Sequence, residues 1–321
     1  MQIPLPNKID FAVLIGVHHA NPNGDPLNGN RPRQTSDRLG EITDVCTKRK
    51  LRNRLLSMGE EIFVQSDDNR ADDCRSLNDR FKASGISLDG DVRRAVCEKW
   101  FDVRAFGQVF AFKKADKKKN AKGKKGEDKS EDDAESAGST EEDSGAVSIG
   151  IRGPVTIHSA YSLAPIVPES VQITKSVNLE TNQKNPDKKD GDTMGMKHRV
   201  SEAVYAAYGA ISPQLASKTG FSDADAEKLK LALRSLFEGD ASSARPEGSM
   251  EVRAVIWCAH NSPCGQFSSA RVHQAIRNAL AEKKDGSFDE EKIKAALPGL
   301  SIEFLAALEG EELAKLPTRE E

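Results

Sequence analysis

The side chains best suited to chemistry crowd one stretch of this 321-residue chain, from Asn21 to Arg54. It opens as NPNGDPLNGNRPR, a loop dense in Asn, Gly and Pro that carries Asn28, Arg31 and Arg33. It continues into a segment with Lys48, Arg49, Lys50, Arg52 and Arg54, in which five of seven residues are basic and none has an acid four places on. A helix charged in this way repels itself unless an anion lies near. The run therefore reads as a phosphate-contact surface rather than a solvated helix face. Contacts of that kind grip a nucleic-acid backbone without choosing a sequence.

Other chemistries find less support. Asp25 or Asp37, in a loop beside bound RNA, would be placed to assist strand cleavage. Asp25 followed by Pro26 is also a common turn initiator, and the turn is the reading favoured here. His18 and His19 are adjacent, which on a strand sends them to opposite faces and away from a shared metal. Cys258 and Cys264, with His260 between them, lack the second pair and the spacing of a zinc finger. They read as buried thiols at a strand end. There is no nucleophile elbow, phosphate-binding loop or dinucleotide fingerprint, since Gly24 and Gly29 open no helix. No catalytic residue, metal or cofactor is expected.

Composition narrows the partners. Hydrophobic residues make up 37% and charged residues 30%, while aromatics, at 5%, are too few for a broad base-stacking platform. The net charge of −3 is unevenly spread. Residues 114–143 hold eight lysines against ten acids, and residues 282–321 hold six bases against eleven acids, so the remainder is mildly basic. The placement of charge, more than its total, sets the field that a phosphate backbone meets. Five scattered cysteines, no secretory signal and no run of roughly 20 apolar residues point to a cytoplasmic protein with reduced thiols and no membrane partner.

The elements that must position these groups are strands mixed with helices, without a βαβ rhythm: an α+β fold in a single domain over 1–321. Residues 9–17 are a nearly continuous apolar run and read as a buried strand. A helix spans 43 to about 58, capped by Thr43 or Asp44. Ile42, Val45, Cys46 and Leu56 share one of its sides, and Leu51 and Leu55 point elsewhere. Residues 61–65 suggest a short strand, and 66–99 a subdomain or long excursion without a second core, weakly helical at 77–82 and 92–100. Residues 100–112 and 146–157 are apolar, the latter with Gly153-Pro154 at a bulge or edge. A helix is expected at 223–238, capped by Ser222 or Asp223, then a strand at 250–259, a helix at 270–283 and an acidic tail with helical pieces.

Two further segments complete the pattern. Residues 113–144 are low in complexity, lysine-rich and then acidic, and cannot bury enough apolar surface to offset the entropy of ordering. A nuclear-localisation signal is the minor reading of their lysines, and a disordered insert the major one. A long hairpin is expected over 173–200, with Lys175, Lys197, His198 and Arg199 framing it and Met194 as an unbranched apolar wedge of the kind that unstacks bases. An ordinary surface hairpin is the alternative.

Together NPNGDPLNGNRPR, ITDVCTKRKLRN, FDVRAFGQVF, GIRGPVTIHSAYSLAPI and TMGMKHRV resemble the backbone subunit of type I CRISPR surveillance complexes, in its I-C subtype, over most of the chain outside 113–144. The resemblance implies an RRM-like (ferredoxin-like) palm built from 9–17, 100–112, 146–157 and 250–259, with fingers at about 60–99 and a thumb at 173–200. It implies a non-catalytic antiviral-defence protein that polymerises head to tail along CRISPR RNA as a helical filament in the Cascade ribonucleoprotein. Its partners would be the guide, the target DNA strand paired to it, other copies of itself, the small subunit, and subunits of the Cas five and Cas eight families. A recruited helicase-nuclease would act indirectly. Asn28, Arg31, Arg33, Lys48, Arg49, Lys50, Arg52, Lys175, Met194, Lys197, His198 and Arg199 would hold RNA. An RNA-cleaving relative using Asp25 or Asp37 is the alternative.

Deleting 113–144 is expected to leave the thermal unfolding midpoint nearly unchanged. A drop of many degrees in calorimetry would show that the insert is an ordered part of the fold.

Overall fold

The computed structural model of the chain describes residues 3–112, 147–174, 194–281 and 283–319. The insert at 113–144, Lys175 and most of the 173–200 span lie outside the described residues. Strand β1 (Ile9–Ala20) leads to β2 (Gly24–Asp25), β3 (Arg31–Pro32), β4 (Leu39–Ile42) and helix α1 (Asp44–Ser57). Helices α2 (Leu77–Ala83), α3 (Val92–Lys99) and α4 (Phe101–Phe106) follow, then β5 (Gly107–Phe112), β6 (Val147–Arg152), β7 (Val155–Ile157), β8 (Ala160–Pro165) and β9 (Pro168–Thr174). The chain continues with β10 (Met194–Ile211), α5 (Pro213–Thr219), α6 (Asp223–Arg234), β11 (Met250–Ala259), α7 (Ser269–Leu280), α8 (Glu290–Ala296), β12 (Ser301–Leu305) and α9 (Gly310–Ala314).

The fold is mixed α+β around an eight-stranded sheet in the order β12-β11-β1-β10-β8-β4, with β7 and β9 also paired to β10. Its pairings are antiparallel. Strand β1 sits at the centre, laddered to β10 from Ile9↔Ile211 to Ala20↔Val200 and to β11 from Ile9↔Ala259 to Val17↔Met250. Phe11, Val13, Ile15 and Val17 pack with Leu51 and Leu55 of α1 and Leu229 and Leu233 of α6. Ala12 and Leu14 turn the other way, onto Val272 and Ile276 of α7 and Ile293 of α8. Helices thus cover both faces of β1, which is why its sequence is apolar without alternation.

Asp10 is the one charged residue within this run. It is fully buried, with His260 Nε2 at 2.9 Å and Lys8 Nζ at 3.1 Å from its carboxylate. The backbone N–H of Gln266 donates to His260 Nδ1 at 2.9 Å, so the ring proton sits on Nε2 and points at Asp10. The start of β1 is thereby tied to the loop after β11.

The structure departs from the sequence reading in several places, each with a local cause. Residues 61–65 are not a strand: the Asp102 carboxylate accepts from the backbone N–H groups of Phe63 (2.7 Å) and Val64 (3.1 Å), which need no ladder. The 66–99 excursion does take part in a second core, where its Phe81, Val92 and Val96 pack with Phe63, Trp100 and Phe110 from the flanking segments. Residues 100–112 begin as α4 and become β5 only after Gly107, at φ 81°. β5 pairs with β6 in a separate ribbon, and the Gly153-Pro154 break hands the chain to β7 in the main sheet. Glycine is required at 107 and 153, because a Cβ at either would strike the backbone of the other's segment. The buried residues of α1 are Thr47, Lys50, Leu51, Leu55 and Leu56, whereas Val45 is exposed, opposite to the expected side. The tail supplies the edge strand β12 as well as helices.

Gly209 lies opposite Phe11 in the ladder, and a Cβ there would strike the Phe11 ring, which stacks on Trp257 at 5.5 Å. Gly209→Ala is expected to cost about 1–3 kcal/mol in urea unfolding through overpacking. An unchanged midpoint would mean that the ring has room to move.

Candidate nucleic-acid interface

The Asn- and Arg-rich loop is held in shape by its own polar groups. Asn21 Nδ2 donates to the Asn30 carbonyl at 2.7 Å, and Asn23 Oδ1 accepts from both the backbone N–H and the hydroxyl of Thr43. Two of the asparagines are thus structural. Asp25 acts as the cap of a 3-10 turn at Pro26–Asn28, accepting from Leu27 N–H at 3.2 Å, and lies 3.5 Å from Arg33 Nη2. The turn reading of Asp25 accounts for its contacts. At the tip, Asn28 is exposed and the Leu27 side chain stands almost wholly in solvent, at 99%.

This loop lies against the base of the β9–β10 ladder. β3 packs on β10, the Gln34 side chain donates to the Ile166 carbonyl at 2.8 Å, and Ile166 N–H donates to the Arg38 carbonyl at 2.9 Å. The ladder runs from Val200↔Pro168 to Met194↔Thr174 and exposes apolar side chains on both faces: Val171 and Ile173 on one, Met194 and Met196 on the other. Along the arm, Arg199 pairs with Glu169 at 3.0 Å, and His198 Nδ1 shares a hydrogen bond with Ser170 Oγ at 2.8 Å. Bonds from Ser201 and Arg199 hold the Glu169 carboxyl below the usual carboxylate range. Arg31, Arg38 and Lys197 have no partner among the described residues. Met194 is exposed, and its Sδ lies 3.0 Å from Gln172 Nε2.

The basic helix behaves differently from the expectation. Asp240 engages Lys50 directly and lies 3.5 Å from Arg49 and 3.2 Å from Arg245. Arg52 bonds Asp102 at 2.9 Å, and Lys48 pairs backward with Asp44, also at 2.9 Å. Side-chain exposure is 25% for Lys48 and 37% for Arg49, but 1% for Lys50 and 14% for Arg52. Contrary to the expectation from the sequence, Lys50 is a buried and Arg52 a half-buried ion-pair member in this chain, so neither presents a free cation at the surface. The self-repulsion argued from local spacing is relieved at Lys48 by Asp44 four residues back, and at Lys50 and Arg52 by acids 50 and more residues away, which no i,i+4 rule can see.

Other sequence expectations also shift. The rings of His18 and His19 meet edge to face at 4.4 Å, because His19 takes φ 48° and breaks the strand alternation. Among the described residues no three His, Cys, Asp or Glu gather as a metal site. Cys258 is buried, and burial pushes its thiol up to about 12, whereas Cys264 is exposed. Arg38 belongs with Arg31 at the candidate surface and was not singled out by sequence, since nothing local marks it. No helix among the described residues is long and apolar enough to cross a membrane.

A family profile described as CRISPR-associated protein Cas7 matches residues 7–296. A protein of Haloferax volcanii named CRISPR-associated protein Cas7 is 27% identical over 229 residues, 70% of this chain and 62% of that protein. The match thus spans less than two thirds of the curated relative's length. Among solved structures, a chain of a CRISPR RNA-guided surveillance complex titled pre-nicking aligns over 98% of this chain and 95% of its own at 13% identity, with a TM-score of 0.46. A chain of a second CRISPR RNA-guided surveillance complex aligns over 98% and 94% at 12% identity, with a TM-score of 0.43.

Asp240→Asn is expected to destabilise the protein by roughly 3–5 kcal/mol, because it strands a buried lysine among two arginines. Burial already pushes the Lys50 ammonium below its usual 10.5. A base depressed in the fold binds fewer protons there than when unfolded, so stability rises with pH up to the unfolded value. The defect should shrink as pH climbs toward 10. A pH-independent defect in denaturant titrations would refute this account.

Proposed function

The chain belongs to the CRISPR-associated Cas7 family, and from that premise we propose that it is a non-catalytic subunit that holds CRISPR RNA by its backbone. In this reading copies stack head to tail along the guide, an open heterologous contact that yields a filament, and form the backbone of a type I-C Cascade complex in the cytoplasm. The guide is held whatever its spacer, so that base edges stay free to pair with target DNA. The Cas five, Cas eight and small subunits would complete the assembly, and a helicase-nuclease would be recruited to it.

One observation carries the reading. The side chains of Arg31, Arg38 and Lys197 have no partner among the described residues, and their segments meet the β9–β10 arm: β3 packs on β10, the Arg38 carbonyl accepts from Ile166 N–H, and Lys197 pairs with Val171 beside the exposed Ile173, Met194 and Met196. An RRM-like palm is supported by the antiparallel sheet centred on β1, but RNA would meet its end and edge rather than its face. The excursion at 60–99 would be the fingers and 173–200 the thumb, with Met194 and Met196 available to wedge between bases. Asn28, Arg31, Arg33, Lys48, Arg49, Lys197, His198 and Arg199 would reach the guide, and Lys50 and Arg52 would act by fixing α1. Asp25 is engaged by Leu27 and Arg33, which favours a shaping role over cleavage.

Co-purification with RNA, judged by absorbance before and after nuclease, tests the premise. Reversing Arg31 and Arg38 to Glu should weaken binding of all guides alike and lower the salt slope by about one per lost phosphate contact. If the loss varies with spacer sequence, base readout is at work and the backbone reading fails. Metal-dependent cleavage of RNA that disappears in Asp25→Ala would overturn the non-catalytic assignment.

A further inference from the structure

A second cationic feature lies on another part of α1. A cavity of about 420 Å³ opens between α1, the loop at Asn69–Ala71, the segment Leu236–Asp240 after α6, and Arg319 near the end of the chain. This is within the size range of small-ligand sites. Its lining is rich in hydrogen-bond donors. The Arg54 guanidinium is aimed by two hydroxyls, Nε donating to Ser235 Oγ at 2.8 Å and Nη1 to Ser57 Oγ at 3.2 Å. Neither hydrogen-bond partner carries charge; burial pulls the Arg54 pKa down, and the nearby charge of Glu238 offsets that only in part.

The surrounding charges balance it only in part. Arg319 donates its backbone N–H to the Ser57 carbonyl at 2.9 Å, which straps the tail across the end of α1, and its side chain has no partner among the described residues. The carboxylate nearest Arg70 is Asp67 at 3.7 Å, a side chain that is 91% exposed. At the floor, Asp240 is already shared by three cations, Lys50 among them. Glu238 is the other lining acid, and it forms no ion pair among the described residues.

We propose that this cavity binds a phosphate group, carried either by a small free phosphate compound or by the end of a nucleic-acid strand. A tetrahedral anion accepts several bonds at once from converging guanidinium groups, and those charge-assisted bonds are the strong ones. In a pocket lined by three arginines, one of them on the exposed tail, such an anion supplies the counter-charge that Glu238 and Asp240 leave incomplete. The cavity is lined by different residues from the loop and the β9–β10 ladder, so the proposal does not rest on guide binding along them.

The test is calorimetric titration of the full chain with inorganic phosphate, pyrophosphate, ADP, and a short RNA bearing either a 5′-phosphate or a 5′-hydroxyl. Saturable binding with a Kd of about 1 mM or tighter is expected for at least one phosphate ligand. Arg54→Gln and Arg319→Gln should each weaken it about tenfold, the loss expected from one charged hydrogen bond. Lys218→Gln, on the exposed surface of α5 and outside the cavity, should leave it unchanged. Preference for the 5′-phosphorylated RNA over its 5′-hydroxyl form identifies a strand end, and preference for pyrophosphate or ADP identifies a free compound. Should Arg54→Gln fail to fold, Arg319→Gln, on the exposed tail, decides alone. No saturable binding, or binding untouched by Arg319→Gln, overturns the proposal.

Discussion

Both faces of β1 are occupied, and the rest of the molecule is arranged around that constraint. A strand with α1 and α6 on one side and α7 and α8 on the other leaves no open sheet surface at its centre. A nucleic acid cannot lie across such a sheet as it lies across an open four-stranded platform. The candidate ligand-facing groups lie toward the sheet's end, where β1 gives way to the Asn-rich loop and β10 continues beyond β1 as the arm paired with β9. Asp10 is the polar element tolerated inside this packing, and it is tolerated because His260 and Lys8 reach it from outside the central ladder.

Buried acids decide which cations are free. Asp240 takes Lys50, Asp102 takes Arg52, and Asp225 binds Arg104 through two bonds of 3.1 and 2.8 Å. Each of these carboxylates joins elements distant in sequence: Asp240 ties α1 to the segment after α6, Asp102 ties it to α4, and Asp225 links α4 to α6. Exposed pairs such as Lys48 with Asp44 contribute little to stability. The division splits the basic run of α1, with Lys50 and Arg52 directed inward to locate the helix and Lys48 and Arg49 more open to solvent.

Much of the scaffold was legible because its signals are local. The apolar run of β1, the Ser222 capping box of α6 and the bounds of β11 all follow from residues close in sequence. The Asn-rich loop and the arm from Met194 stood out for the same reason. What stayed hidden depends on distant partners. Residues 61–65 look like a strand until Asp102, 39 residues away, takes their N–H groups. The burial of Lys50 depends on Asp240, 190 residues on. The helical start of 100–112 is hidden because an apolar run reads alike as a buried strand or a buried helix. Arg38 carries no mark beyond being one more arginine in a polar loop.

The unbroken course of β10 has a mechanical meaning. Its 18 residues extend about 60 Å at the usual rise per residue. Its C-terminal part is clamped between β1 and β8, while among the described residues its N-terminal part pairs with β9 alone. Such a strand is a cantilever. A force applied near Met194 is carried by one covalent backbone into the ladder opposite Phe11, without a joint to absorb it. Whatever the free arm presses against, the central sheet must bear the load.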